Sequence, residues 1–302
     1  SDEAALRAEA TWTELAMRIK TAYAVWQRVH AQVEQQRELL ALVDRMESAA
    51  QVRYAGGLAP QQDAIRAQLE RTAMASELAM LEAEISGTRA RINSLLTRPA
   101  DAPLAAPLGQ DALPSLARLD MAALRERVLA RNPALAAEDA RIRAAEKSKD
   151  AVWSNRYPEF TLGVAPVQTR NRISEWELMF EVNIPLQQKR RRAEEREALA
   201  MVSAAQARKE AAANEAVSQL GEALSALEAA HRVATLTQTS LLPQAQISLQ
   251  SALAGYESGK VDFATVLEAQ RQIRQARLTL IRTQADARMR LAEIERLIGG
   301  AL

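Results

Sequence analysis

The chain has 302 residues with 39 basic and 38 acidic side chains, so a net charge of +1 gives no bulk field to recruit nucleic acid or anionic lipid. Aromatic residues make up 4% and glycines number 10, while alanine, leucine, glutamate, glutamine and arginine fill long stretches, the composition of long helices and coiled coils. With no cysteine there are no disulfides or thiolate metal centres, and no run of about 18 apolar residues exists to form a transmembrane helix.

Asp2 to about Arg53 carries Leu15, Ile19, Ala22, Trp26, Val29 and Val33 at helical spacing, with no proline to interrupt them. Ala55-Gly56-Gly57-Leu58-Ala59-Pro60 reads as a reversal, because glycine tolerates positive φ and Pro60 suits the first turn of a following helix. That helix is expected to run to about Thr97 and stop at Arg98-Pro99. A connector rich in proline and alanine follows over 99–118, then helices near 120–131 and 134–156 separated by Asn132-Pro133. Phe160 to Ala165 alternates weakly, and Glu175 to Ile184 alternates almost fully. Trp176, Leu178, Phe180, Val182 and Ile184 share one face, and Glu175, Glu177, Met179, Glu181 and Asn183 the other. Period two with one apolar face predicts a β-hairpin over about 160–184, with Gln168 to Ser174 as its loop. Helix returns from about Gln188 to a second turn at Ser258-Gly259-Lys260, and Pro243 should kink or offset it. A last helix covers about Asp262 to Ile298 and ends at Gly299-Gly300.

The two helix–turn–helix segments are copies. Tyr54, Gly57, Ala67, Gln68, Leu78, Ala83, Ile92 and Leu95 recur as Tyr256, Gly259, Ala269, Gln270, Leu280, Ala285, Ile294 and Leu297, always 202 residues later. An unbroken repeat of 54–98 at 256–300 is too long for a solenoid unit and points to a duplicated half-molecule. Between the copies, each predicted strand has about nine or ten residues, the length of a tilted strand across a bilayer core. Unpaired strand edges are too costly in lipid, so a membrane role for two strands requires a barrel shared between chains. An amphipathic hairpin packed on the helices is the alternative reading of the same pattern.

Two helix–turn–helix repeats with an intervening hairpin resemble the TolC family of outer-membrane efflux ducts, over essentially the whole chain. The resemblance is carried by Tyr256-Glu257-Ser258-Gly259-Lys260-Val261-Asp262-Phe263-Ala264-Thr265-Val266-Leu267-Glu268-Ala269-Gln270 and by its partner from Tyr54 to Gln68. Arg156-Tyr157-Pro158-Glu159-Phe160 and Ile184-Pro185-Leu186 are similar to that family's flanks of the second barrel hairpin. Asp262-Phe263 and Pro243 lean towards the heavy-metal branch typified by CzcC and CusC.

The resemblance implies a mainly α fold, in which long antiparallel helical hairpins build an α-barrel tunnel and the β-hairpin contributes to a trimeric membrane β-barrel. On that plan residues 1–98 hold the helical hairpin of the first repeat, 99–133 a connector and short helix, and 134–302 the second repeat with its tip turn near 256–262. The family's first repeat opens with a further helix and hairpin that this chain does not include. The implied partners are two more copies in a homotrimer, a periplasmic adaptor (membrane fusion protein), an inner-membrane proton-driven pump and outer-membrane lipid. The implied location is the outer membrane of a Gram-negative envelope, with a large periplasmic portion. No cofactor is implied.

Site residues follow from the same resemblance. Gly57, Leu58, Gly259 and Lys260 stand at the adaptor-docking tip, although turn formation alone also accounts for the two glycines. Asp63, Tyr256 and Glu268 match positions at the entrance gate, whereas Thr265 replaces another acid of TolC and Val261 its latching arginine. On the strand, Glu175, Glu177 and Glu181 are expected to line the barrel lumen, with Trp176, Leu178, Phe180, Val182 and Ile184 facing lipid. His30 and His231 are isolated and the methionines scattered, so no metal site is expected. No phosphate loop or nucleophile motif points to catalysis. The alternative from another class is a soluble coiled-coil scaffold or a periplasmic adaptor. An adaptor would carry one hairpin flanked by domains rich in glycine and valine.

Overall fold

In a computed structural model of the protein, residues 2–107, 119–169, 172–183 and 188–302 are described. As expected, the fold is mainly helical, with one two-stranded antiparallel sheet among the described residues. The elements are α1 (Asp2–Ala55), α2 (Gln61–Leu95), α3 (Met121–Arg131), α4 (Pro133–Ser154), β1 (Glu159–Thr169), β2 (Arg172–Asn183), α5 (Gln188–Leu236), α6 (Leu242–Glu257) and α7 (Phe263–Leu297). No helix among the described residues is long and apolar enough to cross a membrane. The chain forms two compact units, one from residues 1–10 and 131–216, the other from 11–130 and 217–302.

The larger unit is built on the repeat. Val43 and Met46 of α1, Ala67 and Met74 of α2, Leu249 and Tyr256 of α6, and Phe263, Val266 and Ile273 of α7 share one core. Ala50, Ala64, Ala252 and Ala269 lie among them, small enough to let the backbones approach. Ion pairs rim this core: Arg271–Glu70 at 2.7 Å, Arg274–Glu77 at 3.2 Å and Arg277–Glu38 at 2.8 Å. Glu70 is buried and the Arg274–Glu77 pair half-buried, while the exposed Arg277–Glu38 pair contributes only about 0–1 kcal/mol, so apolar burial carries most of the stability and the charges help to fix register. A second cluster joins Ala22, Trp26 and Ile92. The fully buried Asn93 donates to the carbonyls of Ala100 and Ala102 at 3.2 and 2.8 Å, so the start of the connector is pinned to the end of α2. Residues 108–118 of the connector lie outside the described residues.

Helix ends repeat as well. Gly300 N donates to Glu295 O at 3.0 Å around Gly299, whose φ is 72°. At the matching end of α2, Arg98 N donates to Asn93 O at 2.8 Å around Thr97, with φ 53°. A β-branched residue in the left-handed region is strained where glycine is not. Thr97→Gly is therefore expected to stabilise the protein by about 0.5–1 kcal/mol, net of the entropy glycine loses on folding, and to raise Tm in a thermal melt. The offset expected at Pro243 is a π turn, Thr237–Leu241, just before α6. Proline lacks the N–H and crowds the carbonyl four residues back, and the wider turn relieves both.

In the smaller unit, Asn132 caps α4 by accepting from Ala134 N at 2.9 Å, with Pro133 in the first turn. Beyond α4 the hairpin foot is held by Arg156, which stacks over Trp153 at 3.9 Å and pairs with both carboxylate oxygens of Glu195 at 2.7 and 2.8 Å. That pairing holds the Glu195 carboxyl below its usual range. The strands extend further than expected, to Thr169 paired with Arg172, so the loop is shorter than Gln168 to Ser174. A bulge between Val167 and Gln168 absorbs the register shift and carries the ladder past the alternating segment.

Candidate functional site

Two separate sites answer to the expected residues, one in each unit. In the larger unit the turns between α1 and α2 and between α6 and α7 have one geometry. Gly57 and Gly259 lie at φ 68° and 69°, the left-handed conformation that closes a helix. Gly57 N donates to Tyr54 O and Leu58 N to Arg53 O at 2.9 and 2.8 Å; Gly259 N donates to Tyr256 O and Lys260 N to Gly255 O at 3.0 and 2.8 Å. Leu58 and Lys260, one past each glycine, are exposed, Leu58 at 71%. The turns differ at the next helix start. Asp262 caps α7, accepting from Thr265 N at 3.0 Å and Thr265 Oγ1 at 2.6 Å, whereas Pro60 opens α2 with no side-chain cap.

Those two bonds from Thr265, the hydroxyl's first, hold the Asp262 carboxyl below its usual range. A lowered folded-state value means that the cap's contribution is present above the ordinary aspartate range and is lost as pH falls through the folded value. The α6–α7 turn is therefore expected to loosen in acid below that range. Hydrogen exchange at the Thr265 amide should accelerate there in the parent protein, and Asp262→Asn, a cap that does not titrate, should remove the pH dependence.

Asp63 and Tyr256, 193 positions apart, meet. Both are 6% exposed, and Tyr256 Oη donates to Asp63 Oδ2 in a long hydrogen bond of 3.4 Å. Burial, then the neighbouring Asp63 carboxylate, raise the Tyr256 phenol above its usual value. Phe263 packs edge-on against Tyr256 with ring centres 5.3 Å apart. Glu268 lies outside this contact, exposed on α7 and accepting from Gln272 Nε2 at 3.4 Å. Reading the sequence misses Arg53. Its guanidinium stacks over Tyr256 at 4.8 Å and donates to Glu257 O at 2.9 Å and to Leu58 O at 3.4 Å, so one side chain ties both turns together. The available signal was the repeat itself, since Arg53 faces Gly255 across the offset.

In the smaller unit the register puts both apolar sets on one face. Phe160 pairs with Val182, Leu162 with Phe180, Val164 with Leu178 and Pro166 with Trp176. Trp176, Leu178, Phe180 and Val182 are 64%, 74%, 66% and 38% exposed, and Leu162 is 71% exposed. Phe160 and Phe180 stack at 6.2 Å. The opposite face pairs Thr161 with Glu181, Gly163 with Met179, Ala165 with Glu177 and Val167 with Glu175. Glu177 and Glu181 are exposed there. Ile184 lies outside the described residues.

Comparison with known proteins agrees with this geometry. The chain is similar to the outer-membrane channel OprN at 19% identity, covering 99% of this chain and 69% of that one, with a TM-score of 0.87. It is similar to VceC, an outer membrane protein of Vibrio cholerae, at 18% identity, with 99% and 73% covered and a TM-score of 0.88. CusC, described for its transmembrane channel formation, gives 18%, 99%, 71% and 0.86 in the same order. No curated protein matches the chain. Residues 124–300 match the sequence profile of the outer membrane efflux proteins, and the chain belongs to that family.

Proposed function

We propose that this chain is one subunit of a homotrimeric outer-membrane duct, the passive channel of a tripartite efflux system. The hairpin carries the reading. Its even face presents a contiguous set of large apolar side chains that no other described residue covers, while the odd face carries carboxylates. Patches of this kind mark an interface with lipid or protein. Alternation of an apolar face with an acidic one is the pattern of a barrel strand between lipid and a water-filled lumen. Two strands cannot close a barrel, so copies assemble. The repeats supply the tunnel helices. Gly57, Leu58, Gly259 and Lys260 form the tip that meets a periplasmic adaptor, and Asp63, Tyr256 and Glu268 belong to the entrance. A proton-driven inner-membrane pump supplies the energy, and the chain itself does no chemistry.

The substrate class follows from the odd face. Glu175, Glu177 and Glu181, repeated by symmetry around the lumen, favour cations by ordinary electrostatics. Metal cations fit both that ring and the lean of Asp262-Phe263 and Pro243 towards the heavy-metal branch. The test is reversal potential across a planar bilayer under a salt gradient. Cation preference is expected in the parent protein and should weaken in the Glu175→Gln, Glu177→Gln, Glu181→Gln triple variant. Unchanged selectivity removes the luminal role of these residues, and absence of conductance in the parent removes the duct reading.

A further inference from the structure

The longest uninterrupted run of one charge in the chain is Lys189-Arg190-Arg191-Arg192, in the first turns of α5 just beyond β2. The fold does not consume it. Arg190 pairs with Glu194, one turn on, at 2.8 Å. Glu195 is the other neighbouring acid, and Arg156 takes both of its carboxylate oxygens at 2.7 and 2.8 Å. After Arg156, the fields of Arg192 and Arg191 also lower that carboxyl, yet neither side chain bonds to it. Arg196 and Glu197 further on cancel in charge. Lys189, Arg191 and Arg192 are thus left without an ion partner among the described residues. Cations at the start of a helix oppose its macrodipole, so helix formation does not account for three of them.

Two aromatic side chains stand at the same end of the hairpin. Trp153, in the last turn of α4, is 46% exposed, and Tyr157, two residues before β1, is 76% exposed. Arg156 lies 3.9 Å over the Trp153 ring and is locked to Glu195 of α5, so the indole and the basic run are held on one foot. The apolar even face begins next along the strands, where Phe160 pairs with Val182. Exposed amphipathic rings beside an apolar strand face are the pattern of a membrane interface. Cations at that level attract anionic lipid, and the planar guanidinium matches the oxygens of a phosphate. A net charge of +1 gives no bulk field for such lipid. Headgroups, however, are read within about 8–10 Å, where only the local excess counts. Resting on the duct reading, we infer that the foot of the hairpin is a site for an anionic phospholipid. Lys189, Arg191 and Arg192 hold the headgroup phosphate, and Trp153 and Tyr157 sit against the glycerol and upper acyl chain. The lipid belongs to the leaflet on the helix side of the membrane, and holding it fixes the depth at which the hairpin sits.

Spin-labelled lipids test this on the full protein reconstituted in phosphatidylcholine vesicles. Electron spin resonance separates lipid held at the protein surface from free lipid, and so compares labelled phosphatidylglycerol with labelled phosphatidylcholine. The parent is expected to prefer phosphatidylglycerol about fivefold at low salt, and less at high salt. The Lys189→Gln, Arg191→Gln, Arg192→Gln triple variant should bring the ratio close to one while still holding phosphatidylcholine as the parent does. Arg191→Lys with Arg192→Lys keeps the charge and should keep most of the preference, which a variant that merely disturbed the foot would not. A parent ratio of one, or a preference that survives the triple glutamine variant, overturns the site and leaves the duct reading standing. If the ratio is one and a carboxyl-to-amine cross-linker joins Lys189 to another protein, the run serves an acidic protein surface and the lipid site is overturned. If neither lipid is held at the surface, the hairpin meets no bilayer and both readings fall.

Discussion

Arginine at Leu178 and Phe180 is expected to keep the protein out of the outer-membrane fraction. The two side chains are 74% and 66% exposed on the even face of the hairpin, so no described residue shields them. On a lipid-facing strand each arginine costs about 2–4 kcal/mol near the bilayer midplane and also forfeits the burial of the apolar side chain it replaces. Glu177→Arg is the matched control. It lies on the odd face, which on the duct reading meets lumen water, and it should leave fractionation unchanged while altering selectivity. Membrane fractionation followed by detergent extraction distinguishes these outcomes. Normal insertion of the double arginine variant would mean that the even face does not meet lipid.

The second large effect belongs to the tip. Phe263→Ala should destabilise the larger unit by about 3–5 kcal/mol, the range for deleting a buried aromatic ring. Phe263 is 1% exposed, opens α7 and supports the Tyr256 ring that donates to Asp63. The cavity should release Tyr256 and with it the ring over which Arg53 stacks. Amide exchange at Tyr256 and Lys260 is expected to rise far more than exchange within α3, and Tm should fall. Phe263→Leu keeps most of the volume and should recover much of the loss. If both variants melt like the parent, packing at this position does not hold the tip.

How far these features could be read in advance depended on the kind of constraint each carries. Trp176 to Val182 was legible as a strand because period two is local, and the strand register puts Phe160, Leu162 and Val164 on the same face. The strand ends were not legible. The ladder continues past the alternating segment to Thr169 and Arg172, and a bulge there leaves no pattern in side-chain polarity. Gly57 and Gly259 stood out because their positive φ favours glycine, but Thr97 occupies the same conformation with no local mark. Only its alignment with Gly299 gives it away. The meeting of Asp63 and Tyr256 came from family resemblance, since no spacing connects positions 193 apart. Arg53 was missed because it acts on backbone carbonyls, which every residue has; its contrast with Gly255 was the one trace. Pro243 announced an irregularity without its form, and the π turn before it is one of several ways to lose a donor.

The most direct test of the duct is the mass of the protein in detergent, by light scattering on material extracted from the outer membrane. The account predicts a trimer that requires detergent. A monomer or dimer that stays soluble without detergent would contradict it and make the helical hairpins a scaffold.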